Sequence, residues 1–201
     1  MNIGVFGGTF DPVHKGHLAM VEEVRNRLNL AEVLFIPAGQ PWLKISRPIS
    51  VAQHRVQMVR LAIAGKPYCK LSTIEIERPG PTYTIDTIVQ LQTKLGAEAE
   101  LYFILGWDSF YELPQWKESS RLVKMCHLVA VPRTGYPSPE LNSLEAAVPG
   151  LKGSAVILNL PEIDISASEI RNRVARGLPI DHLVPEPVDK YIREHGLYLT
   201  Q

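Results

Sequence analysis

Gly7-Gly8-Thr9-Phe10-Asp11-Pro12-Val13-His14-Lys15-Gly16-His17 is the stretch on which the fold turns. It follows a short apolar run, Ile3-Gly4-Val5-Phe6. It precedes Leu18, Val21, Val24 and Leu28, which recur every three or four residues as one helical face. A strand, a glycine-rich turn and a helix in immediate succession make a ready anion site. The first N–H groups of a helix lack intrahelical partners and carry a partial positive charge. The two glycines are expected to let the backbone turn sharply and approach a ligand closely. His14 and His17 lie three residues apart, so both can face one side of the turn. The stretch is neither GxGxxG nor GxxxxGKS/T, so neither the dinucleotide fingerprint nor the ATPase P-loop applies. A zinc site would need a third ligand, and none is evident nearby. Capping or packing is the plain alternative for the two histidines.

Further strand-sized apolar runs occur at 33–36, 71–76, 101–105, 128–131 and 155–158, and helical patterns separate most of them. This alternation argues for βαβ units on a parallel sheet. A second helix is expected to start at Ser50, with Gln53 as capping-box partner, and to end at Gly65. A third opens near Thr84, expected as its N-cap, carries Ile85, Ile88, Leu91 and Leu95, and stops at Gly96. A fourth opens with the capping box Ser166-Ala167-Ser168-Glu169 and stops at Gly177, and a last one spans about 186–195. Residues 132–153 are rich in Pro and Gly and read as a surface insertion with one short helix around 141–147. The whole chain, 1–201, reads as one domain, with a small helical C-terminal part from about 166.

Lys plus Arg and Asp plus Glu both number 21, so no global positive field advertises a nucleic-acid partner. The longest unbroken apolar run is five residues, 101–105, far short of the roughly 20 that a membrane span requires. The N-terminus lacks a basic leader before a long apolar stretch, so no signal peptide is expected. Cys69 and Cys126 form no CxxC pair and read as idle buried thiols in a reducing, cytoplasmic setting.

Gly8-Thr9-Phe10-Asp11-Pro12-Val13-His14-Lys15-Gly16-His17 resembles the signature of the HxGH nucleotidyltransferase superfamily. A second superfamily motif, usually Ile-Ser-Ser-Thr-x-x-Arg, is matched by Ile165-Ser166-Ala167-Ser168-Glu169-Ile170-Arg171. Between them lie Pro81-Thr82-Tyr83-Thr84-Ile85-Asp86-Thr87, Leu105-Gly106-Trp107-Asp108-Ser109, Leu113-Pro114-Gln115-Trp116 and Val131-Pro132-Arg133. In that order the set resembles the bacterial nicotinate mononucleotide adenylyltransferases over nearly the whole chain. Three departures stand out. Ala167 and Ser168 replace the usual Ser and Thr, Trp107 replaces a small residue, and Pro41-Trp42-Leu43-Lys44 keeps the family lysine in altered surroundings.

The resemblance implies an α/β, Rossmann-like, doubly wound parallel sheet of order 3-2-1-4-5 flanked by helices. Loops 7–17 and 106–109 would then open onto the crevice at the switch point. It implies ATP and nicotinate mononucleotide as substrates, with Mg²⁺ bridging phosphates and held mostly by ligand oxygens and water rather than by protein. Catalysis falls to His14, His17 and Arg171. ATP would meet these three together with Gly7, Gly8, Thr9, Phe10, Ile165 and Ser168. The acceptor would meet Lys44, Tyr83, Thr84, Gly106, Asp108, Trp116 and Arg133. Structural alternatives stand beside several of these: Trp116 as a core residue under a loop, Asp108 as a helix cap, Arg133 as a solvated surface charge. His54 and His127 read as structural, and His182 and His195 lie away from every motif. Another acceptor, such as phosphopantetheine or nicotinamide mononucleotide, or a sensor that has lost turnover, are the competing functions. The oligomeric state, monomer or homo-oligomer, is open.

Overall fold

Side chains alternate across a strand, and the apolar runs of this chain use both faces. Ile3 and Val5 of β1 (Asn2–Gly8) enter one apolar cluster, and Phe6 enters the other. A computed structural model describes residues 1–41, 49–161 and 163–199. After β1 come α1 (Lys15–Leu28), β2 (Glu32–Pro37), β3 (Gln40–Pro41), α2 (Ala52–Ile63), β4 (Cys69–Leu71), β5 (Pro81–Thr82) and α3 (Thr84–Leu95). The chain continues through β6 (Glu100–Gly106), α4 (Trp107–Tyr111), α5 (Ser119–Leu122), β7 (His127–Val131), α6 (Leu141–Glu145), α7 (Leu151–Ser154), β8 (Ala155–Ile157), α8 (Ala167–Ala175) and α9 (Glu186–Glu194).

Six parallel strands pair in the order β4-β2-β1-β6-β7-β8. This is the expected 3-2-1-4-5 arrangement with the run at 155–157 added as a sixth, edge strand. The face that takes Phe6, Val33, Phe35, Ile104 and Val129 is covered by α1, α2, α8 and α9. The face that takes Ile3, Val5, Leu34, Leu101, Phe103 and Leu128 is covered by α3 to α7. Covering both faces explains why these strands read as continuous apolar runs. The chain leaves β1 toward β2 on one side, and β6 enters on the other, so the switch point lies between β1 and β6. A two-stranded parallel ribbon, β3 with β5, ties residues 40–41 to 81–82 beside the main sheet.

Several boundaries differ from the expectation. The third strand is Cys69–Leu71 rather than 71–76, because residues 74–76 form a turn that drops Ile74 into the α3-side cluster. Helix α2 starts at Ala52 and Ser50 does not cap it; the Ser50 N–H donates to Asp11 Oδ2 at 3.2 Å. Tyr83 occupies the N-cap of α3 and Thr84 its first turn. Ser166 caps α8 as expected, accepting from the Glu169 N–H at 3.1 Å. The segment 132–153 carries two short helices, and Leu144, Val148 and Leu151 are buried in the α3-side cluster. Most of the segment is exposed, as expected of a surface stretch, and these three side chains pin it to the core.

Gly4 sits at the middle of β1, where a Cβ would meet Val33 Cγ2 at 2.9 Å and Leu30 Cδ1 at 3.0 Å. Val33 is stiff at χ1 and cannot swing aside freely. Gly4→Ala is therefore expected to destabilise the fold by about 1–3 kcal/mol, the range for overpacking. Its urea midpoint should fall, and an unchanged midpoint would show that the two neighbours yield without strain.

Candidate active site

The loop between β1 and α1 is shaped by contacts from distant parts of the chain. Gly7 and Gly8 belong to β1 itself, in register with Ile36 and Pro37. Neither has a positive φ; the left-handed residue of the turn is Phe10, at φ 50°. Gly8 is needed for a different reason: a Cβ there would meet the Phe10 ring at 3.0 Å. Phe10 is buried against Phe6, Phe35 and the edge of His17. Three polar contacts then fix the loop. The Thr9 carbonyl accepts from Arg55 Nη1 at 2.9 Å, the Asp11 carbonyl accepts from Arg171 Nη1 at 2.7 Å, and Asp11 Oδ1 accepts from the Tyr198 hydroxyl at 2.7 Å.

His14 is the N-cap of α1, and its ring stacks on that of His17 with centroids 3.5 Å apart. His17 Nδ1 accepts from the His14 backbone N–H at 3.2 Å, which leaves the ring proton of the neutral form on Nε2. The N–H of Lys15 donates to the Leu183 carbonyl at 2.9 Å, and that of His17 donates to the His14 carbonyl at 3.0 Å. The backbone donors at the start of α1 are thus largely used within the protein. The helix field remains, but hydrogen bonds to an anion fall to the side chains. His14 is only 3% exposed, and its Nδ1 is buried with no hydrogen-bond partner among the described residues. Burial, with the nearby Arg133 charge, lowers its pKa to about 3, so the ring is neutral at physiological pH.

Arg171, 7% exposed, is not a free phosphate arm. Besides Asp11 it contacts Ser168 Oγ at 3.2 Å, so the second motif is bolted to the first. The expectation that Ser168 and Arg171 share a helical face holds. His14, His17 and Ile165 line one cleft of about 320 Å³, bounded also by Gly16, Met20, Val131 and Arg133. Its largely apolar wall beside two imidazoles suits a base joined to a phosphate.

On the β6 side, Gly106 is the N-cap of α4 and Asp108 lies within its first turn, so Asp108 is not the cap. Its Oδ2 lies 3.7 Å from Arg133 Nε, and a Cβ on Gly106 would collide with its carboxylate. Arg133 is thus an exposed charge with an acidic partner, at the rim of the cleft. Trp107 is buried in the α3-side core, with its indole N–H unpartnered among the described residues. Trp116 is half-buried on the same cluster, its ring edge-on to Phe103 at 6.0 Å, so part of the core alternative holds. Its neighbour Lys117 sits 4.7 Å over the Tyr83 ring and pairs with Asp86 at 3.1 Å, which draws the Trp116 turn to the start of α3. Lys44 lies outside the described residues. Among the described residues no group of three His, Cys, Asp or Glu side chains gathers as a metal site, and no helix is long and apolar enough to cross a membrane.

Residues 5–173 match the family described as Cytidylyltransferase-like. A protein of Dehalococcoides mccartyi, named "Probable nicotinate-nucleotide adenylyltransferase", is 50% identical over 201 residues, covering 100% of this chain and 98% of its own length. A protein of the same name from Thermomicrobium roseum is 43% identical over 198 residues, covering 98% of this chain and 92% of its own. The chain belongs to the nicotinate-nucleotide adenylyltransferase family. The solved nicotinic acid mononucleotide adenylyltransferase of Plasmodium falciparum, complexed with NaAD, shares the fold at a TM-score of 0.81. It is 22% identical, with 100% of this chain and 98% of that one covered.

Within this adenylyltransferase, Asp11, Arg55 and Tyr198 are the residues that motif reading did not single out. Arg55 offered one signal: it occupies the apolar stripe of α2 with Met58, Val59 and Ala62, where a charge is out of place. Tyr198 offered none. His54 and His127 are structural as expected, the first bonded to the Tyr191 hydroxyl at 2.8 Å and the second stacked on Tyr102. Cys69 and Cys126 are free and buried, and burial pushes their thiols up to about 11 and about 12.

The depressed pKa of His14 links protonation to stability. Between its folded value and the ordinary value of about 6.5, the unfolded chain binds the extra proton. The contribution is therefore full above about pH 6.5 and is lost as pH falls toward about 3. Urea midpoints should drop more for the wild type than for His14→Gln on going from about pH 7.5 to about pH 5. Parallel losses would mean that other groups carry the acid sensitivity.

Proposed function

We propose that this chain transfers the adenylyl group of ATP to nicotinate mononucleotide in NAD biosynthesis, giving nicotinate adenine dinucleotide and pyrophosphate. The observation that carries this is the His14–His17 stack at the start of α1, bolted through Asp11 to Arg171 and opening on the cleft beside β7. A phosphate oxygen of the mononucleotide attacks the α-phosphorus in line. The bond from that phosphorus to the oxygen bridging it to the β-phosphate breaks, and pyrophosphate leaves with that oxygen. No protein nucleophile is required, so the protein contributes position and charge stabilisation.

Each residue then has a role in this reading. His17, whose Nδ1 is committed to the His14 N–H, donates from Nε2 to an α-phosphate oxygen. His14, neutral and stacked on it, keeps that ring in place and offers its own N–H. Arg171 and Ser168 hold the phosphate loop and add positive potential, with Gly7, Gly8, Thr9 and Phe10 giving the loop its shape. Ile165 contributes apolar wall for the adenine. Arg133 and Asp108, paired across the mouth, face the ribose and phosphates. On the acceptor side the Tyr83–Thr84 start of α3 presents a helix N-terminus to the nicotinate carboxylate, Trp116 offers a ring platform, and Lys44 a phosphate contact. Mg²⁺ entering with ATP would add charge on the phosphate oxygens; Asp108 is the carboxylate at hand, and phosphates and water complete its shell. The cytoplasm is the compartment this reading assigns, in keeping with two unpaired thiols.

Purified protein with ATP and equal concentrations of nicotinate and nicotinamide mononucleotides should favour the acid by at least about tenfold in kcat/KM. A helix N-terminus prefers an anion, and charge-assisted hydrogen bonds exceed neutral ones. Equal yields of both dinucleotides would remove the carboxylate-reading role of the α3 start. Phosphopantetheine in the same panel tests the other acceptor, and no pyrophosphate with any acceptor would favour the sensor. His17→Ala should keep the fold and lower kcat by about 10²–10³, the loss typical of one preorganised donor.

A further inference from the structure

We propose that Tyr198 is a positioning residue for adenylyl transfer, its hydroxyl gripping Asp11 so that the loop between β1 and α1 presents His14 and His17 in working register. This rests on the function proposed above and adds a part of the chain that no motif reaches. Tyr198 is 9% exposed and its hydroxyl donates to Asp11 Oδ1 at 2.7 Å, across 187 residues of sequence. The other carboxylate oxygen of Asp11 is held by the Ser50 N–H, and its carbonyl by Arg171. Leu183, in the same C-terminal part, accepts the Lys15 N–H at 2.9 Å, and Lys15 Nζ reaches the Asp181 carbonyl at 2.9 Å. The C-terminal part therefore holds the loop at both ends, at Asp11 and at Lys15, with His14 between the two grips.

A core tyrosine used only for packing would not need the backbone this one adopts. Tyr198 sits at φ 68° and Phe10, next to Asp11, at φ 50°. Left-handed backbone is uncommon for bulky residues and persists where surrounding contacts over-determine it. The ring could be replaced by Phe against Met58, which lies 3.9 Å from the hydroxyl, with no loss of apolar fill. What Phe would not replace is a donor to a buried carboxylate, and leaving such a group under-bonded moves the loop that carries it. Burial and the Asp11 charge push the Tyr198 hydroxyl well above the ordinary range, so it remains a donor at any assay pH.

The test is steady-state kinetics of Tyr198→Phe with ATP and nicotinate mononucleotide, well below the melting temperature. The expected result is a fall in kcat of about 10- to 100-fold, the size of effect that small misplacement of reacting groups produces. KM for the mononucleotide should hold. The double variant Tyr198→Phe/Asp11→Ala should lose no more than Asp11→Ala alone, because removing the carboxylate already removes the acceptor that Tyr198 grips. A lowered melting temperature with unchanged kcat would overturn the proposal and leave a packing role. Losses that multiply in the double variant would overturn it also, and where Asp11→Ala does not fold, the kcat of Tyr198→Phe decides. A wild type that makes no dinucleotide would overturn the adenylyl-transfer function and this inference with it. An active wild type with an unimpaired Tyr198→Phe overturns this inference alone.

Discussion

The carbonyls of Thr9 and Asp11 lie in an irregular stretch, buried at the end of the central strand, outside any ladder whose N–H groups would donate to them. Backbone groups in that position must be paired, or they lose about as much as a missing hydrogen bond. Here each is met by a buried guanidinium, Arg55 for Thr9 and Arg171 for Asp11. Arg55, 2% exposed, also donates to the carbonyls of Ser50 at 3.0 Å and Gly39 at 3.4 Å. One side chain thus closes the loop after β1 against the segments flanking α2 and β3. Two buried cations need a counterweight, and the Asp11 carboxylate supplies one charge of the two. One arrangement of buried groups therefore fixes both the loop geometry and the charge beside it.

The same constraint explains what could and could not be read from sequence. Strand and helix periods follow from which face is buried, so the parallel sheet and the helices α1, α3, α8 and α9 were legible, while the strand order came only with the family resemblance. Ser50 was not legible as a non-cap, because its N–H is recruited by Asp11, a residue 39 positions earlier. The turn at 74–76 looked like strand because Ile74 is apolar, yet it reaches the core from outside the sheet. In 132–153 the short helix around 141–147 was legible, while the glycines and prolines masked the second helix at Leu151–Ser154 and the burial of Val148 and Leu151. The motif histidines drew attention through the glycine-rich turn between strand and helix, and Arg171 through the resemblance of 165–171 to the second superfamily motif. Asp11 sat inside the first motif without an assigned role, since only the fold brings Tyr198 and Arg55 to it.

The positions of the two tryptophans bear on the acceptor half. Trp107 does not narrow the crevice; it turns into the α3-side core. Trp116 stays half-buried at the edge of that same core. Phe103 connects this region to the phosphate loop, since its ring lies against Trp116 on one side and 3.5 Å from where a Gly7 Cβ would be on the other. A bulkier residue at 7 would press on Phe103 and through it on Trp116.

A neutral imidazole at His14 is well suited to the charge changes of adenylyl transfer. A permanently protonated His14 beside Arg171 and Arg133 would bind the ground-state polyphosphate strongly, and interactions already complete in the ground state do not accelerate the chemical step. A neutral ring donates a hydrogen bond of moderate strength that grows as charge accumulates on the α-phosphoryl oxygens. Burial and the Arg133 charge hold His14 in that form. The His14 N–H holds His17 Nδ1 in the acceptor role that sends the other proton outward. Because the N–H groups of Lys15 and His17 are used within the protein, the proposed function draws on the helix for its field and on the rings for directed donors. Side-chain donors can be aimed at the position the oxygens reach in the transition state, which backbone groups fixed in the first helical turn cannot all do.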